Sequence, residues 1–270
     1  MNLLNLIFPK DLYCVSCGRP LPSGTDIVIA LCQRCAGEIE WVSGRLCNKC
    51  GRPLAEENRK DYCRDCVGAG LHVYGKAIAC AVYTGKAAEL VREMKYRGKA
   101  WYADTISSLM AHRYAIEADR ETGELPYYDF IVSVPMSLAK KATRGYDQAE
   151  LIASSLSEKI KVPYLKNALK RMRDTNVMSS LSEGERRMNL EGAFFVSYDM
   201  IKLLVGKRLL LADDVYTTGS SVDACSKTLL DIGAETVDVI VFGTGTDVRP
   251  TEDRPAVVES PGQLRAKGPT

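Results

Sequence analysis

The chain has 270 residues, of which 46% are hydrophobic and 26% charged, and its formal net charge is +2. That is the make-up of an ordinary globular protein, long enough for one sizeable core and a smaller module. It excludes an electrostatic case for nucleic acid from charge alone, and no apolar run reaches the roughly 18 residues that span a bilayer.

The first nine residues, Met1 to Pro9, are apolar. They lack a basic flank and a small-residue cleavage site, so they read as a short packing helix rather than a signal peptide. Ten cysteines follow along the chain. Eight fall into four CxxC pairs: Cys14 with Cys17, Cys32 with Cys35, Cys47 with Cys50, and Cys63 with Cys66. Nothing signals export, so disulfides are a poor account of them and the cytoplasm is the expected compartment.

The cysteine region is an internal repeat. Cys14-Val15-Ser16-Cys17-Gly18-Arg19-Pro20-Leu21 recurs as Cys47-Asn48-Lys49-Cys50-Gly51-Arg52-Pro53-Leu54, and each copy is followed by a second CxxC. Modules of this size are too small to fold on an apolar core alone. Two CxxC knuckles can hold one tetrahedral zinc ion, and a following glycine accepts the tight backbone. The reading is two structural Zn²⁺ ions. Repeat logic assigns Cys14, Cys17, Cys32 and Cys35 to one and Cys47, Cys50, Cys63 and Cys66 to the other; spacing alone leaves the crossed pairing open. A redox CxxC opens a helix after a strand, whereas these pairs lie among Gly, Pro and polar residues. Cys80 and Cys225, inside apolar stretches, read as core residues. His72 and His112 have no partner motif and receive no role.

Strand and helix patterns then alternate. Residues 77–83 read as a strand, 87–96 and 101–118 as helices, 130–134 as a strand stopped by Pro135, and 148–160 as a helix. Residues 208–212 and 236–242 read as strands around a helix at 222–232. This order argues for a mostly parallel sheet covered by helices on both faces. The domains expected are a tandem zinc-ribbon module over 1–70, an α/β domain over 71–246, and a disordered tail over 247–270, poor in apolar residues.

The run Arg208 to Ser221 carries the most chemistry. Leu209 to Ala212 is strand-like, Asp213 and Asp214 are adjacent carboxylates, and a hydroxyl- and glycine-rich loop leads into a helix. Carboxylates accept hydrogen bonds from sugar hydroxyls, and amides at a helix start receive a phosphate. Ligands of parallel sheets sit at the carboxyl ends of strands, where this pair falls. Other nucleotide motifs fail: there is no Walker loop, and Gly243-Thr244-Gly245 lacks the third glycine of a dinucleotide fingerprint.

The run Leu209 to Ser221 resembles the phosphoribosyl-pyrophosphate (PRPP) loop of type I phosphoribosyltransferases, and the chain from Leu3 to about Gly245 resembles the ComF family. The motifs that carry this are Lys95-Tyr96-Arg97-Gly98, Val134-Pro135, Arg144-Gly145-Tyr146-Asp147-Gln148-Ala149-Glu150, the stretch from Leu181 through Glu185-Arg186-Arg187 to Asn189, and Gly192-Ala193-Phe194. The resemblance implies a type I phosphoribosyltransferase-like fold behind a double zinc ribbon, and a link to DNA uptake in competent bacteria.

It also implies roles. Asp213 and Asp214 would accept the ribose hydroxyls, and Thr217, Thr218, Gly219, Ser220 and Ser221 would cradle the 5′-phosphate. Beside these implied roles, Tyr216 and Lys95 are ligand-binding candidates from the sequence itself: Tyr216 either stacks on a ligand or closes the loop, and Lys95, with Arg97 and Lys99, either meets ligand charge or lies on a solvated face. Arg144 would sit in a mobile cover near the leaving group, and the turn after Val134 would approach the pyrophosphate, with Mg²⁺ held mostly by PRPP. The implied reaction is phosphoribosyl transfer to an unknown acceptor with release of pyrophosphate. Three positions depart from the pattern. Thr217 stands where some relatives carry an acid, Asp147 where many have asparagine, and Met178 where many have glutamine. The competing expectation is a non-catalytic DNA-uptake factor whose ribbons bind single-stranded DNA or a protein of the competence machinery. The basic residues of the ribbons, with Tyr13, Trp41 and Tyr62, give that idea a weak basic-aromatic signal.

Overall fold

The computed structural model describes residues 13–22, 30–68, 72–117, 123–172 and 192–247. The expectations for Met1 to Pro9, Met178, the Leu181 to Asn189 motif and the tail beyond Asp247 lie outside these residues.

In chain order the elements are α1 (Gln33–Gly37), α2 (Arg64–Gly68), β1 (Ala77–Val82), α3 (Gly85–Tyr96), α4 (Tyr102–Ala115), β2 (Phe130–Ser133), α5 (Leu138–Arg144) and α6 (Gln148–Ile160). Then come β3 (Lys170–Arg171), β4 (Phe194–Phe195), α7 (Tyr198–Leu204), β5 (Arg208–Tyr216), α8 (Ser220–Asp231) and β6 (Thr236–Thr244). Four strands form one sheet in the order β1-β6-β5-β2, with every pairing parallel. This is the mostly parallel sheet with flanking helices that the alternation of patterns predicts. β3 and β4 form a separate antiparallel pair.

Alternation along the strands divides the interior into two apolar layers. Ile78, Leu210, Ala212 and Ile240 face a layer built with Leu90 and Met94 of α3, Ile106 and Met110 of α4, and Ile152 and Leu156 of α6. Ala79, Leu209, Leu211, Val239 and Val241 face a second layer with Leu204 of α7 and Val222, Cys225 and Leu229 of α8. Each fully buried Leu, Ile or Val contributes about 1.5–3 kcal/mol. The ribbons join different layers: Cys14, Leu21, Leu31, Cys35 and Ile39 belong to the first, and Cys47, Cys50, Cys63, Cys66 and Tyr74 to the second.

The chain between the ribbons runs along the free edge of β1. Val42 N–H donates to Cys80 O, Val82 N–H to Glu40 O, and Ala77 N–H to Lys49 O, with an antiparallel bridge from Trp41 to Ala81. The outer hydrogen-bonding groups of β1 are thereby used by the protein itself. Among the described residues, no helix is long and apolar enough to cross a membrane.

One difference from the pattern-based reading bears on the site. The strand expected to end at Ala212 continues to Tyr216, because β6 runs beside it to Thr244. Asp213 and Asp214 are therefore strand residues. β2 stops sooner. Its register with β5 runs from Phe130–Leu209 to Ser133–Ala212, Val134 N–H makes one more bond to Ala212 O, and Pro135 has no N–H to continue. Among the described residues, β5 from Asp213 onward has a neighbour on one side only, and a cleft opens at the other.

Candidate functional site

The cleft has a volume of about 190 Å³. Its lining includes Pro135, Ser137, Lys140, Arg144, Asp147, Gln148, Asp213, Asp214, Ser221 and Lys95. A second hollow of about 530 Å³ shares Lys95, Lys140 and Arg144 and adds Tyr96, Thr143 and Tyr146. Both lie at the carboxyl end of the sheet, where parallel strands present their ligands.

The two carboxylates have unlike surroundings, since neighbouring strand residues point to opposite faces. Asp214 is buried, and Lys95 Nζ of α3 lies 3.0 Å from its Oδ1. Burial opposes the charge of Lys95, but Asp214, with Tyr83 and Asp213, outweighs that and holds the ammonium above the ordinary lysine range. Asp213 accepts the Asp214 N–H at 2.8 Å. Burial, then the charge of Asp214, pushes the Asp213 carboxyl well above the usual aspartate range.

The far wall is built by the Arg144–Glu150 motif. α5 ends at Gly145, whose φ of 80° is the left-handed conformation that glycine accepts. Asp147 then caps α6, its Oδ1 accepting the Glu150 N–H at 3.2 Å while its Oδ2 accepts the Met136 N–H at 2.8 Å. One side chain thus ties the turn after β2 to the start of α6, and burial raises its carboxyl above the ordinary value. Arg144 Nη1 donates to Gln148 Oε1 at 3.0 Å, and its guanidinium lies 5.0 Å from the centre of the Tyr96 ring.

The loop after β5 is compact. Gly219, with φ 79°, is the N-cap of α8. Thr218 Oγ1 and Ser220 Oγ are 2.9 Å apart, and Ser220 and Ser221 form the first turn of the helix, where backbone N–H groups have no intrahelical partner. Tyr216 lies beneath this loop. Its ring is buried, and its hydroxyl is 2.8 Å from Tyr74 Oη and 3.0 Å from His72 Nε2. A Cβ on Gly219 would meet the Tyr216 hydroxyl at 2.1 Å, so the loop rests on the tyrosine.

Asp213, Asp214, Arg144, Lys95 and Ser221 thus meet at one cleft, while Thr217 to Ser220 form the turn beside it and Tyr216 supports that turn from below. Sequence reasoning gives no role to His72 or Tyr74 and counts Arg52 only among the basic residues of the ribbons. A lone histidine and an arginine inside a cysteine repeat carry no local pattern that would single them out.

The eight paired cysteines form two clusters, Cys14, Cys17, Cys32 and Cys35, and Cys47, Cys50, Cys63 and Cys66, with the sulfurs of each within 4.8 Å of one another. This is the pairing that repeat logic assigns, rather than the crossed one. Sulfurs on a tetrahedral zinc ion at 2.3 Å stand about 3.8 Å apart; Cys17 to Cys32 is 3.7 Å and Cys50 to Cys63 is 3.6 Å. Both clusters fit structural zinc. One expectation needs correction: the second knuckle of each ribbon does open a helix, since Cys32 caps α1 and Cys63 immediately precedes α2. Four converging sulfurs in each cluster still distinguish them from an isolated redox pair. Cys80 and Cys225 are buried, as expected.

A double zinc ribbon domain matches residues 3–67. The chain is 28% identical to Competence protein F of Haemophilus influenzae over 87% of its own length and 91% of that protein. It is 30% identical to the DNA utilization protein YhgH of Escherichia coli O157:H7, over 84% of this chain and 94% of that one. It is 23% identical to Competence protein ComFC of Bacillus subtilis, over 75% and 79%.

Proposed function

The chain belongs to the ComF family of competence and DNA-utilization proteins, and from that premise we propose that it binds PRPP with Mg²⁺ in the cleft beside β5 and transfers the phosphoribosyl group to an acceptor, releasing pyrophosphate. The observation that carries the reading is the meeting of Asp213, Asp214, Lys95, Arg144 and Ser221 at the carboxyl end of one parallel sheet, beside the start of α8.

In this reading Asp213 and Asp214 accept hydrogen bonds from the ribose hydroxyls. The amides and hydroxyls of the turn from Thr217 to Ser221 receive the 5′-phosphate. The backbone after Val134, pinned by Asp147, faces the pyrophosphate, and Arg144 lies on the leaving-group side. Lys95 holds Asp214 in place. When bound with PRPP, Mg²⁺ neutralises pyrophosphate charge and favours its departure. Positive charge developing on the sugar is met by the two carboxylates. The hydroxyl of Thr217 is a poor base near neutral pH, so the acceptor is an amine or draws its base from elsewhere. The working units are the ribbon module over 1–70 and the transferase-like domain over 71–246, acting in DNA uptake as the names of the relatives suggest.

The test is a thermal shift with PRPP and Mg²⁺. At a hundredfold excess over Kd, linkage adds about 2.7 kcal/mol, and replacing both carboxylates (Asp213→Asn with Asp214→Asn) abolishes the shift. An unmutated protein whose Tm ignores PRPP sinks the reading. Pyrophosphate release with candidate acceptors then identifies the reaction.

A second reading rests on exposed rings: Tyr13, Trp41 and Tyr62 of the ribbon region are 59%, 41% and 38% exposed, as stacking platforms for single-stranded DNA would be. It predicts salt-sensitive retention of oligonucleotides by the full chain, lost when the three rings are replaced.

A further inference from the structure

The repeat places an arginine after each glycine of the first knuckle, and the two arginines have different surroundings. Arg19 is exposed. Arg52 is only 4% exposed, its Nη1 donating to Asp65 Oδ2 at 2.5 Å and its Nη2 to the carbonyl oxygen of Thr217 at 2.9 Å. Its guanidinium also lies 5.7 Å from the centre of the Tyr216 ring. Burying a guanidinium is costly unless its donors are paired; both terminal nitrogens are, one of them with the first residue of the ligand loop, while the buried Nε has no partner among the described residues.

Both anchors of this contact are metal knuckles. Arg52 follows Cys50-Gly51, and Asp65 stands between Cys63 and Cys66. The second ribbon, once closed around its ion, is therefore a rigid frame holding a guanidinium against the Thr217 carbonyl. The chain just after the ribbon supports the same loop from below: His72 and Tyr74 hold the Tyr216 hydroxyl, and Val73 N–H donates to Asp223 Oδ1 of α8 at 2.8 Å.

We propose that Arg52 is a positioning residue through which the second zinc ribbon sets the shape of the loop 217–221, so that breaking this contact loosens the loop and weakens ligand binding although Arg52 does not line the cleft. The identity of the ligand rests on the PRPP reading above; the mechanical coupling does not.

The experiment compares zinc-loaded full-length protein with Arg52→Met, Asp65→Asn and Arg19→Met, measuring zinc per chain, hydrogen exchange of peptides covering 214–222, and the affinity for PRPP with Mg²⁺. Arg52→Met is expected to keep both zinc ions, to speed exchange in the loop about tenfold and to weaken PRPP binding by a similar factor. Asp65→Asn frees one end of the arginine and gives a smaller change in the same direction; it decides the matter if Arg52→Met does not fold. Arg19→Met changes neither loop exchange nor affinity. Unaltered loop protection in a folded, zinc-replete Arg52 or Asp65 variant overturns the proposal. Failure of the unmutated protein to bind PRPP removes that ligand and leaves loop exchange to judge the coupling.

Discussion

Gly18 and Gly51 occupy the same point of the repeat, with φ of 71° and 69°, and the backbone around them is also repeated. Cys14 N–H bonds to Arg19 O as Cys47 N–H bonds to Arg52 O, and the Tyr13–Pro20 bridge has its counterpart in Leu46–Pro53. Around this shared frame the burial differs. In the first ribbon Cys17 is exposed and Cys32 partly so, whereas all four sulfurs of the second are buried. Among the described residues a Cβ on Gly18 meets nothing within 4 Å, while one on Gly51 would lie 2.4 Å from the carbonyl oxygen of Ala77 in β1. Both ribbons lend residues to the core, but only the second is buried at all four sulfurs, and it stands beside the ligand loop. What a zinc ribbon contributes is decided by what its outer face touches, and the ligand pattern is silent on that.

The comparison can be broken at several strengths. The largest effect is expected from removing a ligand. Cys50→Ser should cost most of the folding free energy that metal supplies, on the order of 10 kcal/mol for a structural site. It should appear as loss of the cooperative thermal transition, while Cys17→Ser leaves a folded chain with a lower Tm. Equal outcomes would erase the distinction between the ribbons.

Next come the glycines. Gly18→Ala carries only the strain of positive φ, about 1 kcal/mol, whereas Gly51→Ala adds displacement of β1 and should cost about 3 kcal/mol or more by denaturant unfolding. Metal removal separates the ribbons kinetically. A chelator should extract one zinc per chain quickly and the second only on the timescale of unfolding, and single-phase release of both would contradict the burial difference.

The smallest effect concerns the carboxylates, which face opposite layers. Asp213 has a raised carboxyl pKa in the folded chain, so its ionised form opposes folding above that value and stability is regained as pH falls through it. Asp213→Asn should therefore raise Tm by a few degrees near pH 7.5, with the gain shrinking in acid. Asp214→Asn should lower Tm, because Lys95 would then be left without its nearest carboxylate. A fall in both would show that burial does not set the behaviour of Asp213.

Much of this arrangement is legible in the amino-acid sequence. Periodicity located β1, α3, α4, β2, α6, β5, α8 and β6 to within a few residues, because each is long or strongly apolar. α5 and α7, seven residues each, were missed since so few turns hold no clear period. β5 runs past the end that its pattern suggests, because an acidic pair reads as a stop whereas β6 supplies its backbone partner. The carboxylates, the loop and the metal clusters were visible as local motifs. His72, Tyr74 and Arg52 were not, for their significance lies in contacts across 144, 142 and 165 residues of sequence.

The strand order β1-β6-β5-β2 has a consequence for biosynthesis. β6 lies between β1 and β5, so the first strand translated cannot take its place until residue 244 has emerged, about 160 residues after β1 is complete. At usual rates of translation that is an interval of roughly ten to thirty seconds. During it the ribbons can already have captured their metal, while β1 still lacks the strand it pairs with. Assembly of the sheet is thus deferred until β6 emerges, and any nascent chain halted before β6 would carry loaded ribbons on a sheet that cannot close.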